Sequence, residues 1–137
     1  MRLLTLLLFI LFTTPSFSQK QKVKIAFIGN ITGEASSNGI GGKNAFILAI
    51  HERNKELSLK YRYVPVIKND NCEASVGSVV ASQVSVDTEV IAAVTHYCSR
   101  VAVSAIDIYH KYNLPVIVWG ASTIYKNSLI RGLLLTD

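Results

Sequence analysis

Cys72, His96, Cys98 and Ser99 are the residues of this chain whose types and spacing could do chemistry. Three readings open from them. Cys72, His96 and Cys98 would offer a metal three ligands, but without the C-x-x-C pair that closes a structural zinc site. His96 beside Cys98 could activate a thiolate, which requires a free thiol and a carboxylate to orient the imidazole, and no such carboxylate announces itself in the sequence. The two cysteines could instead bond to each other. Ser99 stands where a helix N-cap would stand, so its hydroxyl either caps that helix or, with nearby amides, grips a carboxylate or another anion. Thr123, in Gly120-Ala121-Ser122-Thr123, offers a hydroxyl and an amide, or forms an ordinary turn. Other reactive patterns are missing. Gly39-Ile40-Gly41-Gly42 lacks the G-x-G-x-x-G spacing, and neither a phosphate-binding G-x-x-x-x-G-K-[ST] loop nor a G-x-S-x-G elbow occurs. Asn30-Ile31-Thr32 is a formal glycosylation sequon that falls by chance at a strand end, and His51 and His110 are expected to be solvated on helices.

The compartment bears on the cysteines. Arg2 precedes an apolar stretch over residues 3–12, followed by small Ser16 and Ser18 ahead of Gln19, the pattern of a secretory signal peptide covering residues 1–18. Ten helical residues rise about 15 Å, half of a ~30 Å hydrocarbon core, too little for a membrane span. The expected product is therefore periplasmic or secreted, with no membrane insertion after cleavage and no cysteine at the cleavage point for a lipid anchor. In an oxidising compartment a Cys72–Cys98 disulfide becomes the leading reading, stabilising by about 3 to 4 kcal/mol in the chain-entropy model.

Composition narrows the class further. Half of the 137 residues are apolar, 17% are charged and two are cysteine, which excludes a disordered chain and a disulfide-dense miniprotein. The net charge of +5 comes from 14 basic residues with no run of five, so a nucleic-acid partner is not expected.

These residues need elements to position them. Apolar runs at residues 23–28, 60–67, 90–94 and 115–118 read as strands, and helical spacing appears over 39–55, 73–86 and 99–112. In the first helix Ala45, Leu48 and Ala49, widened by Phe46 and Ile50, form the expected buried face. In the second it is Val76, Val79, Val80, Ala81 and Val84. Pro65 removes a ladder donor and predicts an edge strand or a bulge. Strands alternating with helices predict an α/β fold, a Rossmann-like parallel sheet with helices on both faces, spanning residues 19–137. Ligands of such sheets sit beyond the carboxyl ends of the strands. Here that means the loops 29–38, 69–72, 95–99 and 119–125.

Val23 to Gly29 followed by Thr32-Gly33, the helix carrying Asn44-Ala45 and Leu48-Ala49-Ile50, and Asn69-Asp70-Asn71-Cys72-Glu73 occur in that order. Thr95-His96-Tyr97-Cys98-Ser99, Ile106 to Tyr109, Leu114 to Ile117 and Gly120-Ala121-Ser122-Thr123 follow. Together they resemble the N-terminal lobe of type I periplasmic binding proteins of the branched-chain amino acid class. The resemblance implies an extracytoplasmic substrate-binding component of an ABC importer, with an amino acid or similar small molecule as ligand and a transporter permease as partner. No catalysis, cofactor or metal is implied. It places the ligand's carboxylate on Ser99 and Thr123, its ammonium on the Ala121 carbonyl and the Thr123 hydroxyl, and a disulfide on Cys72 and Cys98. Asn38 and Tyr97 depart from the family's aromatic and aliphatic residues and would reshape an aliphatic side-chain pocket. Glu73-Ala74 replaces an Asp-Pro at the second helix's start. Family members clamp ligand between two lobes, whereas this sequence stops at Asp137 near the strand that should complete lobe one. The expectation is an incomplete lobe. A sensory receptor's ligand-binding domain, a truncated fragment without activity and a secreted Rossmann-like enzyme are the alternatives, the last lacking a nucleophile or metal constellation.

Overall fold

The computed structural model describes residues 20–33 and 36–122. The expected signal peptide at 1–18 and Thr123 lie outside them. Four strands, β1 (Gln21–Gly29), β2 (Tyr61–Asn69), β3 (Val90–Thr95) and β4 (Val116–Val118), alternate with three helices, α1 (Ser37–Asn54), α2 (Ala74–Val86) and α3 (Ser99–Lys111). The strands form one parallel sheet in the order β2-β1-β3-β4. β2 is the edge that Pro65 predicts, and its nine-residue pairing with β1 runs without a shift, Pro65 opposite Ile25. The one irregularity lies between β1 and β3, where Lys24 pairs with Val90 and Ile25 with Ala92, so that Ile91 is the extra residue.

Alternation along β1 decides which helices cover which face. Ala26 and Ile28 join Ala93, Val80, Ala81, Val84, Ala105 and Tyr109 in one buried cluster, which places α2 and α3 together on one face. Phe27, between them, meets Phe46 of α1 at 5.6 Å and Trp119 at 5.8 Å on the other. Helices on both faces follow, as the alternating pattern predicts.

In α2, Gly77, Val80, Ala81 and Val84 are buried at i, i+3, i+4 and i+7, a core stripe strong enough to carry a β-branched helix. Val79, expected in that stripe, is 56% exposed. A Cβ on Gly77 would run into the Val101 side chain, so glycine there sets how closely α2 and α3 approach. Hydroxyls reinforce the seam: Ser78 donates to the Ser104 carbonyl at 3.2 Å, and Ser104 donates to the Ala74 carbonyl at 3.1 Å.

α1 differs more from its expected face. Gly39 and Ile50 are buried and Phe46 half-buried, whereas Leu48 is 59% exposed and Ala45 and Ala49 are exposed. The cause is the helix's entry. A Cβ at Gly39 would collide with the backbone carbonyl of Asn30, and one at Gly42 would lie 2.9 Å from the Trp119 ring, so the glycine edge presses onto the sheet and turns Leu48 outward. Among the described residues no helix is long and apolar enough to cross a membrane.

Candidate functional site

The loops at the carboxyl ends of the strands are tied to one another through β1. Asp70 donates its N–H to the Gly29 carbonyl at 3.2 Å, and His96 donates its N–H to the Ile28 carbonyl at 2.9 Å. Trp119 N–H in turn reaches the Thr95 carbonyl at 3.3 Å. Left-handed backbone at Asn71, Cys72 and His96 (φ 51°, 57° and 50°) turns two of these loops back over the sheet edge.

Cys72 and Cys98 are joined in a disulfide with Cα atoms 5.6 Å apart, inside the usual range for a bridge. The metal and nucleophile readings thereby lose both sulfurs. His96 is also fully occupied: Nδ1 lies 2.9 Å from Asp70 Oδ2 and Nε2 lies 2.8 Å from the Tyr109 hydroxyl. A carboxylate does orient the imidazole, contrary to the sequence reading, but Asp70, His96 and Tyr109 are all at most 1% exposed and out of reach of a substrate. Burial, reinforced by the Asp70 charge, pushes the Tyr109 phenol far above its usual range. Tyr109 therefore keeps its phenolic proton beside Nε2, and because a carboxylate only accepts, the Nδ1 hydrogen goes to Asp70. Asp70 uses its other oxygen, Oδ1, to accept the Cys72 N–H at 2.9 Å.

This buried chain is what sequence reasoning missed. A signal for it exists. Asp70 stands two residues before Cys72, and His96 two before Cys98, so pairing the cysteines brings the other two residues side by side.

The predicted ligand-binding residues gather at the same edge. Asn38, in the first turn of α1, donates from Nδ2 to the Tyr97 hydroxyl at 2.7 Å. The Tyr97 ring packs on Trp119 at 5.2 Å, and a Cβ at Gly120 would strike that ring. Ser99 is not an N-cap: α3 begins on it, Cys98 occupies the cap position, and no side chain caps the helix. Its Oγ instead accepts the Ser122 N–H at 3.2 Å, tying the start of α3 to the loop after β4. Ala121 is buried against Ala102 and Val118. Asn38, Tyr97, Ser99 and Ala121 thus belong to one constellation, while Thr123 lies outside the described residues. α3 carries the positive end of its dipole here, and the edge combines that field with amide and hydroxyl groups and an aromatic wall. The arrangement suits a small polar head beside a flat or amphiphilic body.

Asn30 of the glycosylation sequon is 2% exposed, so the folded domain has no room for a glycan on it. His51 and His110 are exposed, as expected.

The model of the family described as "Receptor family ligand binding region" matches residues 42–129. No curated protein matches the chain. Among solved structures, the chain is similar to the branched-chain amino acid transporter substrate-binding protein LivJ from Streptococcus pneumoniae, in complex with isoleucine. Identity is 21%, the TM-score is 0.71, and the match covers 77% of this chain and 30% of that one. A possible leucine/isoleucine/valine-binding protein from Rhodopirellula baltica is similar at 22% identity and TM-score 0.67, over 80% and 29% of the two chains. A solute-binding protein of an ABC transporter from Rhodopseudomonas palustris, in complex with 3,4-dihydroxybenzoic acid, is similar at 21% identity and TM-score 0.66, over 74% and 28%. The chain spans less than a third of the length of these proteins.

Proposed function

Since the chain belongs to the receptor family ligand binding region and has the fold of an N-terminal lobe of a type I periplasmic binding protein, we propose that it is the substrate-binding lobe of an ABC importer for an amino acid or a related small amphiphile. The observation that carries this reading is the convergence of Asn38, Tyr97, Ser99 and Ala121 on one edge of the sheet, at the N-terminus of α3. In this proposal residues 1–18 are a cleaved signal, residues 19–137 are a partial lobe working outside the cytoplasm, and a transporter permease is the partner.

The ligand's carboxylate is assigned to the Ser99 hydroxyl and Thr123, and its ammonium to the Ala121 carbonyl and the Thr123 hydroxyl. Charge-assisted hydrogen bonds of this kind are short and about twice as strong as neutral ones. Asn38 and Tyr97 wall the side-chain pocket. Their hydrogen-bonded pair beside Trp119 favours a ligand with a planar or polar side chain over a purely aliphatic one. Hydrogen bonds from one open lobe compete with water, so one lobe alone holds its ligand weakly and a second lobe supplies the closure.

The family's description as a receptor region favours a second reading on the same fold, the ligand-binding domain of a sensory receptor. A membrane-spanning helix and a signalling module in the same protein would identify it.

Calorimetry of the complete protein against the twenty L-amino acids tests the binding role. One saturable ligand is expected, with Ser99→Ala and Thr123→Ala each weakening it roughly tenfold or more while the fold persists, as removal of a hydrogen bond to a charged group does. Unchanged affinity in both variants refutes the head-group assignment.

A further inference from the structure

The disulfide is not the only link between the two loops it joins. Cys72–Cys98 and Asp70–His96 both connect positions 26 residues apart, so the two links lie side by side, two residues apart on each loop. They differ in depth. Cys72 and Cys98 are half-buried, whereas Asp70 and His96 are 0% exposed and Tyr109, which anchors His96 to α3, is 1% exposed. We infer that the Asp70–His96–Tyr109 chain is a second tie that outlasts reduction of the disulfide, so that the candidate binding edge keeps its shape in the thiol form.

The argument is one of burial. A dithiol such as dithiothreitol can reach a half-buried bridge. It gives up two electrons and two protons, closes to its own cyclic disulfide and leaves two cysteine thiols. The disulfide then no longer holds the loops, yet parting them would break the fully buried bond between Asp70 Oδ2 and His96 Nδ1, and losing one partner of such a buried pair is costly, which opposes opening. Three further bonds hold the same geometry without sulfur: Cys72 N–H to Asp70 Oδ1 at 2.9 Å, Asp70 N–H to the Gly29 carbonyl at 3.2 Å, and His96 N–H to the Ile28 carbonyl at 2.9 Å. An exposed bond from Arg100 Nε to the Cys72 carbonyl, 2.7 Å, is the weaker outer contact. The inference does not depend on what the edge binds.

Two reporters read it without a ligand. The Nδ1–H of His96 is shielded from solvent and gives a slowly exchanging proton resonance while the Asp70 bond persists. The chain's single tryptophan, Trp119, packs on Tyr97 in the next loop position, so its fluorescence reports whether the 96–98 loop stays in place. In 15N-labelled protein treated with dithiothreitol until both thiols alkylate, the His96 resonance and the Trp119 emission maximum are expected to remain as in the oxidised protein. Asp70→Ala should keep the oxidised emission maximum but shift to the red on reduction. Loss of the resonance, or a red shift, in the reduced wild-type protein overturns the inference. Where Asp70→Ala does not fold, the Cys72→Ser, Cys98→Ser double variant decides: it must retain the resonance and the emission maximum, and loss of either is equally contradictory.

Discussion

Tyr97 is held at both ends, its hydroxyl by Asn38 at 2.7 Å and its ring by Trp119 at 5.2 Å. Tyr97→Phe should therefore cost only about 1 kcal/mol of stability, the usual net worth of one hydrogen bond, read as a lowered urea midpoint at unchanged slope. His96→Ala is a different case. It leaves the buried Asp70 carboxylate without its imidazole partner on Oδ2, and a loss on the order of 3 to 5 kcal/mol is expected in the same measurement. The disulfide was legible in the sequence because the expected secretory leader and two turn-rich loops after consecutive strands of the chain point to it. The Asn38–Tyr97 bond was not, since it joins residues 59 apart and depends on how far each side chain reaches. Asp70 and His96 read separately as a loop acid and a stray histidine. Only the cysteine pairing puts them in contact.

At the scale of elements, the strands and helices followed from apolar runs and turn residues, and the edge position of β2 followed from Pro65. The rotation of α1 did not follow, because that helix is apolar on two sides and periodicity cannot choose between them. The choice is made by Gly39 and Gly42, whose missing side chains let one edge approach Asn30 and Trp119. The outcome is testable in a pair of variants. Ile50→Ala should cost about 2 to 5 kcal/mol, as truncation of a buried residue does, while Leu48→Glu stays within about 0.5 kcal/mol of wild type. Reversed magnitudes in chemical denaturation would restore the face that periodicity suggests. Gly39→Ala should also destabilise, by about 1 to 3 kcal/mol despite alanine's better helix propensity, because the obstruction is backbone and cannot rotate away.

Among the described residues, one cluster of charge lies at the end of the sheet away from the candidate site. At the amino ends of the strands Lys24 contacts Asp87 at 2.9 Å and Glu89 at 2.6 Å, while the polar loops occupy the opposite edge. The Lys24 side-chain hydrogen bond, with help from the Glu89 backbone N–H, lowers the Asp87 carboxyl from its ordinary 3.8. Hydrogen bonds from Lys24 to Glu89 and then Asp87 raise the lysine from 10.5. Asp87 therefore contributes stability above its unfolded value of 3.8, lost as pH falls through the lower folded value, and Lys24 contributes below 10.5, lost as pH rises through the higher one. Lys24→Met should be less stable than wild type at neutral pH, and that difference should shrink at about pH 2, where the carboxylates are protonated. A difference unchanged across that range would show that the cluster contributes packing rather than charge. The pair is partly exposed, so the effect is expected to be small and sensitive to salt.

The most direct test of the binding edge is amide chemical-shift mapping of the complete 15N-labelled protein during titration with the twenty L-amino acids. The account predicts that a saturable ligand moves the amides of Asn38, Tyr97, Ser99 and Ala121 and leaves the amino ends of the strands around Lys24 and Asp87 in place. Saturable shifts centred anywhere else, or no saturable shift with any amino acid, would contradict it.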